Sequence, residues 1–260
     1  MGFRYSTGYR TFRMRDGSFQ RALQNGALLI YSGTQPATAD TAPSGTLLCT
    51  ITQASGARTA EVLASGTVTL TGGAAGTVDS ITVNSVQMLS PNQFSAAVPV
   101  SFNASLTQTA ADTATQINKG THWHGYVATS AGAIITLKPA PGLGDSVNGH
   151  VVACTSTTIT NTPANMASGV DPANGIQWGT TASGEITKEG VWSGVNAATG
   201  TAGWARFVGS IADAGGASTT LIRVDMDIAT AGTVMTMSST SLAAGATTTI
   251  DSVAISQAAA

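Results

Sequence analysis

Charge is what this chain has least of. Its 260 residues carry 11 Lys and Arg against 13 Asp and Glu, 9% in all, where a soluble protein averages about 25%. Disorder goes with high charge and low hydrophobicity. Here 42% of residues are apolar, so the chain should fold, covering its surface with Thr, Ser, Asn, Gly and Ala. A net charge of −2 offers no field for nucleic acid. Histidine and cysteine are nearly missing too, at three and two. That leaves few players for nucleophilic or metal chemistry. No stretch approaches the about 20 apolar residues that span a bilayer. The basic N-terminus MGFRYSTGYRTFRMRDG is followed by no apolar core of a signal peptide. Cys49 lies in the alternating TLLCTI and Cys154 follows Val151 and Val152, so both read as free, buried small hydrophobes of a protein folded in a cytoplasm, with a single disulfide as the alternative.

What the chain does have is strand texture and turn residues, which predict a mainly β fold. Residues 1–26 read as an N-terminal arm with a short helix over FQRALQN, Asp16 or Ser18 capping it and Gly26 ending it. ALLIYSG (27–33) and TLLCTIT (46–52) are strands, with Leu47, Cys49 and Ile51 expected on one face. GTVTLTGGAAGTVDSITVNSV (66–86) reads as a hairpin. SLTQTAADTATQINKG (105–120) is the clear helix, with Thr109 and Asp112 at capping-box spacing and Gly120 as the stop. A second hairpin (126–140) and a strand (150–160) complete a β-β-α-β-β-β order. After a polar stretch, turn signals recur every 8–14 residues through GEITKEGVWSG, GTAGWARFVG, TLIRVDMDIA, TVMTMSST and TTTIDSVAI, the cadence of an antiparallel sandwich. Neither flank has enough strands for a sandwich alone. The expected architecture is therefore a discontinuous antiparallel β-sandwich, 27–65 plus 185–260. A small α+β domain is inserted at 66–165, and 166–184 is a linker. Two consecutive domains are the rival arrangement.

Each candidate for chemistry has a plainer reading beside it. His122 and His124 flank Trp123 and could begin a zinc site. A third ligand is missing from the pattern, which leaves an HWH turn anchored by Trp123. Asp225 and Asp227 in RVDMDI fall on one strand face. They could serve glycoside hydrolysis, or simply solvate a strand whose Val224, Met226 and Ile228 face in. No G-x-S-x-G elbow and no GK[ST] phosphate loop is present. Trp178, Trp192 and Trp204 are core anchors, or Trp204 with Arg206 belongs to a subunit interface, or a tryptophan forms a sugar platform. Arg4, Arg10, Arg13, Arg15 and Arg21 concentrate five of the eleven basic residues in the first 21. They are the candidates for pairing with carboxylates of a neighbouring subunit. An arm that docks on a neighbour should be ordered only there, and its removal should leave the fold intact.

Several segments resemble a group of small structural proteins of tailed-bacteriophage virions. These are NGALLIYSGTQPATAD (25–40), SGTLLCTIT (44–52), GTAGWARFVGSIADAGGAST (200–219), LIRVDMDIATAG (221–232) and AGATTTIDSVAI (244–255). Members of that group often lack the middle segment, which implies an insertion. The middle itself, through TQTAADTATQIN and GYVATSAGAIITL, resembles a module of phage tail and capsid-associated proteins. The resemblance implies virion membership and does not fix the position within the particle; head decoration, cement or the head–tail neck is the expected role, with assembly in the host cytoplasm. It implies partners among major capsid, portal, neck or tail subunits and a homo-oligomeric state. It implies no cofactor, no metal and no catalytic residue. A tail, collar or fibre adhesin binding host glycan through Trp123 is the alternative.

Overall fold

The computed structural model describes residues 3–231 and 235–256. The chain is mainly β, in antiparallel sheets, and folds as two compact units, Met1–Glu61 with Pro172–Ala260, and Val62–Asp171. The inserted unit thus spans 62–171, against the expected 66–165. No free linker covers 166–184. Strand Thr160–Ala167 fills its start, and Ala173, Ile176 and strand Gln177–Trp178 are paired within the outer unit.

In the outer unit, Arg4–Tyr5, Arg223–Ala229, Gly200–Val208, Ala27–Ser32, Leu47–Gln53, Trp192–Val195 and Thr247–Ile250 run side by side in the largest sheet. A smaller sheet joins Gln177–Trp178, Glu185–Glu189 and Ala254–Ser256. Leu28, Ile30, Ile51, Ala205, Phe207, Val224 and Met226 from the large sheet share one core with Trp178 and Ile186 from the small one. Trp178, Trp192 and Phe207 meet edge-on or tilted, with ring centroids 4.9–6.1 Å apart. Two bulges tune this sheet. Tyr31 pairs with Leu47 while Ile30 pairs with Cys49, so Leu48 is an extra residue. The bulge corrects the expected alternation: Leu48 is buried and Leu47 turns outward. The other bulge falls at Gly203, where a Cβ would collide with the Gly33 carbonyl.

The N-terminal segment is not an arm, which corrects that expectation. Residues Thr7–Arg15 and Phe19–Leu23 are helices, and Tyr9, Phe12, Ala22 and Leu23 sit in the outer core. Cutting the segment away would remove core side chains, so it is not dispensable for folding. Ser6 organises it. Its Oγ accepts from the amides of Tyr9 (3.0 Å) and Arg223 (3.0 Å) and donates to the Leu221 carbonyl (2.8 Å). It therefore caps the first helix and joins it to strand Arg223–Ala229. From the loop after Ala27–Ser32, Asp40 accepts from the Thr7 amide and hydroxyl, both at 2.7 Å. That puts a carboxylate at the positive end of the helix dipole. Ser18 caps Phe19–Leu23, accepting from the Arg21 amide.

The inserted unit has two four-stranded sheets around a core of its own. Here the predicted 66–86 hairpin is overturned. Ser65–Gly72 pairs with Thr160–Ala167 and Ile134–Pro139, whereas Thr77–Val83 pairs with Val152–Thr157 and two short strands of the other sheet. The GGAAG turn carries the chain between sheets. Val68 and Leu70, and Val78, Ile81 and Val83, enter the same core from different layers, the three-residue step from Val78 to Ile81 falling at a register shift against Thr155 and Ser156. The expected last strand is likewise two, Val152–Thr157 and Thr160–Ala167. Helix Leu106–Lys119 starts at Ser105, whose side chain accepts from the Gln108 amide, not at the Thr109 capping box, and ends at Gly120. Its buried Thr109 and Thr113 return their hydroxyl protons to carbonyls one turn back, and Asn118 brackets Ala128 with bonds of 2.8 and 2.9 Å.

Replacing Ser6 by Ala removes the helix cap and strands a buried amide, so the outer unit should lose about 2–4 kcal/mol. Urea unfolding followed by tryptophan fluorescence measures it. A loss below about 0.5 kcal/mol, within the range of an ordinary surface change, would show that Ser6 is not the joint.

Candidate functional site

The second face of the large sheet is where Arg4, Trp204, Arg206, Asp225 and Asp227 meet. Cross-strand pairing sets Trp204 opposite Tyr31 and Asp227, Arg206 opposite Asp225, and Arg4 also opposite Asp225. The loop after Ala27–Ser32 and the stretch from Gly209 to Ile222 supply the polar partners on this face. Arg206 is 1% exposed and Asp225 not at all. They form a two-pronged ion pair, Nε to Oδ1 at 2.7 Å and Nη2 to Oδ2 at 2.8 Å. Both Nη groups also reach the Thr41 carbonyl at 3.2 Å, and the guanidinium lies 5.4 Å from the Trp204 ring centroid. Tyr31 stacks on Trp204 at 4.5 Å, and the indole N–H donates to the Ser44 carbonyl. Beside this, buried Arg223 grips Asp213 at 2.6 and 2.5 Å and the Gly216 carbonyl at 2.7 Å. Arg4 reaches across to the carbonyls of Gln35 and Pro36.

This overturns three expectations. Trp204 and Arg206 cannot contact a neighbour, because neither reaches the surface; of the readings for Trp204, the core anchor is the one observed. Arg4 is committed within its own chain. Asp225 and Asp227 do not solvate the strand: Asp225 is sealed in an ion pair and Asp227 is half-buried. The pair therefore lacks the open cleft that glycoside chemistry requires. Burial pushes the Asp225 carboxyl above its ordinary range, with Arg206 opposing. Burial acts on Asp213 as well, but hydrogen bonds from Arg223 and Gly215 and the nearby guanidinium charges outweigh it and hold it below.

The remaining arginines lie around the first helix. Arg15 pairs with Asp16 at 2.7 Å, and Arg21 donates to the Asp16 carbonyl. Arg10 and Arg13 are exposed; among the described residues Arg10 bonds the Thr7 hydroxyl, and Arg13 bonds the Tyr9 phenol and lies over its ring. Between them and the small sheet runs an open groove of about 750 Å³, lined by Tyr5, Tyr9, Met14, Phe19, Ile186 and Ile255. Met14 is 90% and Tyr5 42% exposed. Phe3, Tyr5 and Tyr9 stack in succession. Sequence reading singled out the arginines but missed the aromatic floor. The signal was there in the clustering of Tyr5, Tyr9 and Phe19 within the first 19 residues.

His122-Trp123-His124 forms a one-turn helix, Thr121–His124, closed by Gly125 in the left-handed conformation (φ 78°). His124 is occupied on both nitrogens. Nδ1 accepts from the Tyr126 amide (3.0 Å), which leaves the proton on Nε2, donated to the Ile117 carbonyl (3.1 Å). Trp123 is half-buried, and its indole N–H donates to the Ser90 carbonyl. Among the described residues no three His, Cys, Asp or Glu side chains gather as metal ligands. Cys49 and Cys154 are both free, and burial lifts each thiol to about 11. A groove lined by Ser238, Ser241, Thr247 and Thr249 is rich in hydroxyls but carries no aromatic ring.

Compared with known proteins, the chain matches no family model, no curated protein and no solved structure.

Arg206→Met would leave the Asp225 carboxylate buried and unpaired, at a cost of about 3–5 kcal/mol. Adding Asp225→Leu should recover most of that loss, read by urea unfolding of both variants; a double variant as unstable as the single one would count against the pair. In the inserted unit, burial lowers the His124 pKa. The unfolded chain therefore takes up the proton first as pH drops below about 6.5, and stability falls from there down through the folded value. An NMR titration midpoint for the His124 ring above that of a free histidine would contradict the sign.

Proposed function

We propose that this chain is a non-catalytic structural protein of a tailed-bacteriophage particle, placed in the head or at the head–tail neck as decoration, cement or connector. It acts by binding alone. Its partners are further copies of itself and major capsid, portal, neck or tail subunits, and it reaches them in the host cytoplasm during assembly. The observation that carries this reading is the face around the first helix. Arg10 and Arg13 stand exposed beside Tyr5 and Met14, whereas Arg4, Arg206 and Arg223 of the same unit are bonded inside it. Arginine and tyrosine are the residues that dominate protein interfaces. The resemblance of 25–52 and 200–255 to small virion proteins supports the same reading. So does the scarcity of charge, since a neutral surface of small side chains repels its own copies weakly.

The test is to tag the chain, purify particles from infected cells and locate it by electron microscopy. The expected result is the chain at a fixed, symmetry-repeated position on head or neck. Particles that form normally and never contain it would end the reading.

A further inference from the structure

The groove beside the first helix has three properties that together define an occupant. Its floor is apolar, through Tyr9, Phe19, Ile186 and Ile255. Its ionic lining is Arg10 and Arg13 against Glu185, a surplus of one positive charge. Among the described residues neither arginine has a carboxylate partner. Two strands that contribute to it, Arg4–Tyr5 and Ala254–Ser256, each end a sheet. Each therefore has one edge that pairs with no strand among the described residues. Edges of this kind accept an added extended strand, whose main chain supplies affinity and whose alternate side chains supply selectivity.

We propose that this groove receives an extended segment of a different virion subunit, not a second copy of this chain, and that the segment alternates carboxylates with apolar side chains. The inference rests on the virion reading above. The apolar side chains would cover Tyr9, Phe19 and Ile255, and the carboxylates would take the guanidinium donors that Thr7 and Tyr9 leave over. Arginine suits this because its planar fork binds a carboxylate through two parallel bonds. The chain itself is net negative, so an acidic segment is drawn to this groove and not to the surface at large.

The full-length protein is titrated into a fluorescein-labelled peptide alternating glutamate with valine and phenylalanine, and into the same peptide with glutamine for glutamate. Fluorescence polarisation at low salt is the readout. The acidic peptide should bind at least about tenfold more tightly than its neutral counterpart. Arg10→Glu with Arg13→Glu should abolish the difference. Arg21→Glu, exposed but outside the groove lining, should leave it unchanged. Equal melting temperatures certify that the variants are folded. Equal affinity for both peptides, no binding, or the same loss in Arg21→Glu overturns the proposal. So does a dimer of this chain that Arg10→Glu with Arg13→Glu dissolves, since the groove would then belong to a second copy. Particle loading separates the two readings. If the wild-type chain and the double charge reversal load equally, the groove proposal falls and the virion reading stands. If neither loads while the acidic peptide binds through Arg10 and Arg13, the virion reading falls, and with it the virion origin of the segment, while the groove's selectivity for an acidic extended segment stands.

Discussion

The outer unit is organised by one buried ion pair, Arg206 with Asp225. A guanidinium sealed from water must find its hydrogen bonds inside, and a carboxylate there must find its counter-charge. Strand pairing delivers the two directly opposite each other. The Thr41 carbonyl then meets the remaining donors, which ties the long loop after Ala27–Ser32 to the sheet. Arg223 and Asp213 repeat the arrangement with the Gly209–Ile222 stretch. The second face of the sheet thus has its own interior, polar and aromatic, in contrast to the hydrocarbon interior on the first face.

Such an interior stabilises poorly for its cost, because desolvating the charges offsets most of their attraction. What it fixes is register. Slipping Gly200–Val208 by one residue would swing Arg206 into the layer of Phe207, Trp178 and Trp192, and bring Phe207 among carboxylates. Hydrophobic residues alone would tolerate that slip far better, since both faces of this strand are buried. The same layer secures the N-terminus. Arg4 bonds carbonyls of the covering loop, Asp40 of that loop holds the start of the first helix, and Ser6 joins that helix to the strand bearing Arg223 and Asp225.

The strands were legible because alternation is a direct imprint of a sheet with two environments. Ala27–Ser32, Gly200–Val208 and Arg223–Ala229 fall where their patterns put them. What alternation does not encode is the nature of the second environment. Asp225 and Asp227 mark a polar face equally well whether water or a loop covers it, and only the arginine on the neighbouring strand distinguishes the cases. Pairing partners were illegible for a similar reason. Ser65–Gly72 and Thr77–Val83 have hairpin spacing and a glycine-rich turn, but each pairs elsewhere, mainly with strands that lie beyond residue 133. The first helix escaped detection because RTFRMR carries only Phe12 toward the core in a polar run, and its cap, Ser6, draws meaning from strand residues more than 200 positions away. The arginine cluster was visible as composition. Which of its members are committed inside depends on the fold.

That division of the arginines decides what the surface of the outer unit can do. With Arg4, Arg206 and Arg223 bonded on the second face of the sheet and Arg58 bound to the carbonyls of Gly209 and Ser210, the basic side chains left fully exposed are Arg10, Arg13 and Arg21. All three lie within 12 residues of sequence, Arg10 and Arg13 on the first helix and Arg21 on the second. A surface poor in charge has little means of orienting a partner, because weak dispersion contacts are alike in many poses. Charge acts at longer range and aromatic rings fix geometry on contact. Both are present together around Tyr5, Arg10 and Arg13. In a chain this poor in ions, that conjunction of charge and aromatic rings is the feature of the outer unit's surface best suited to orient a partner.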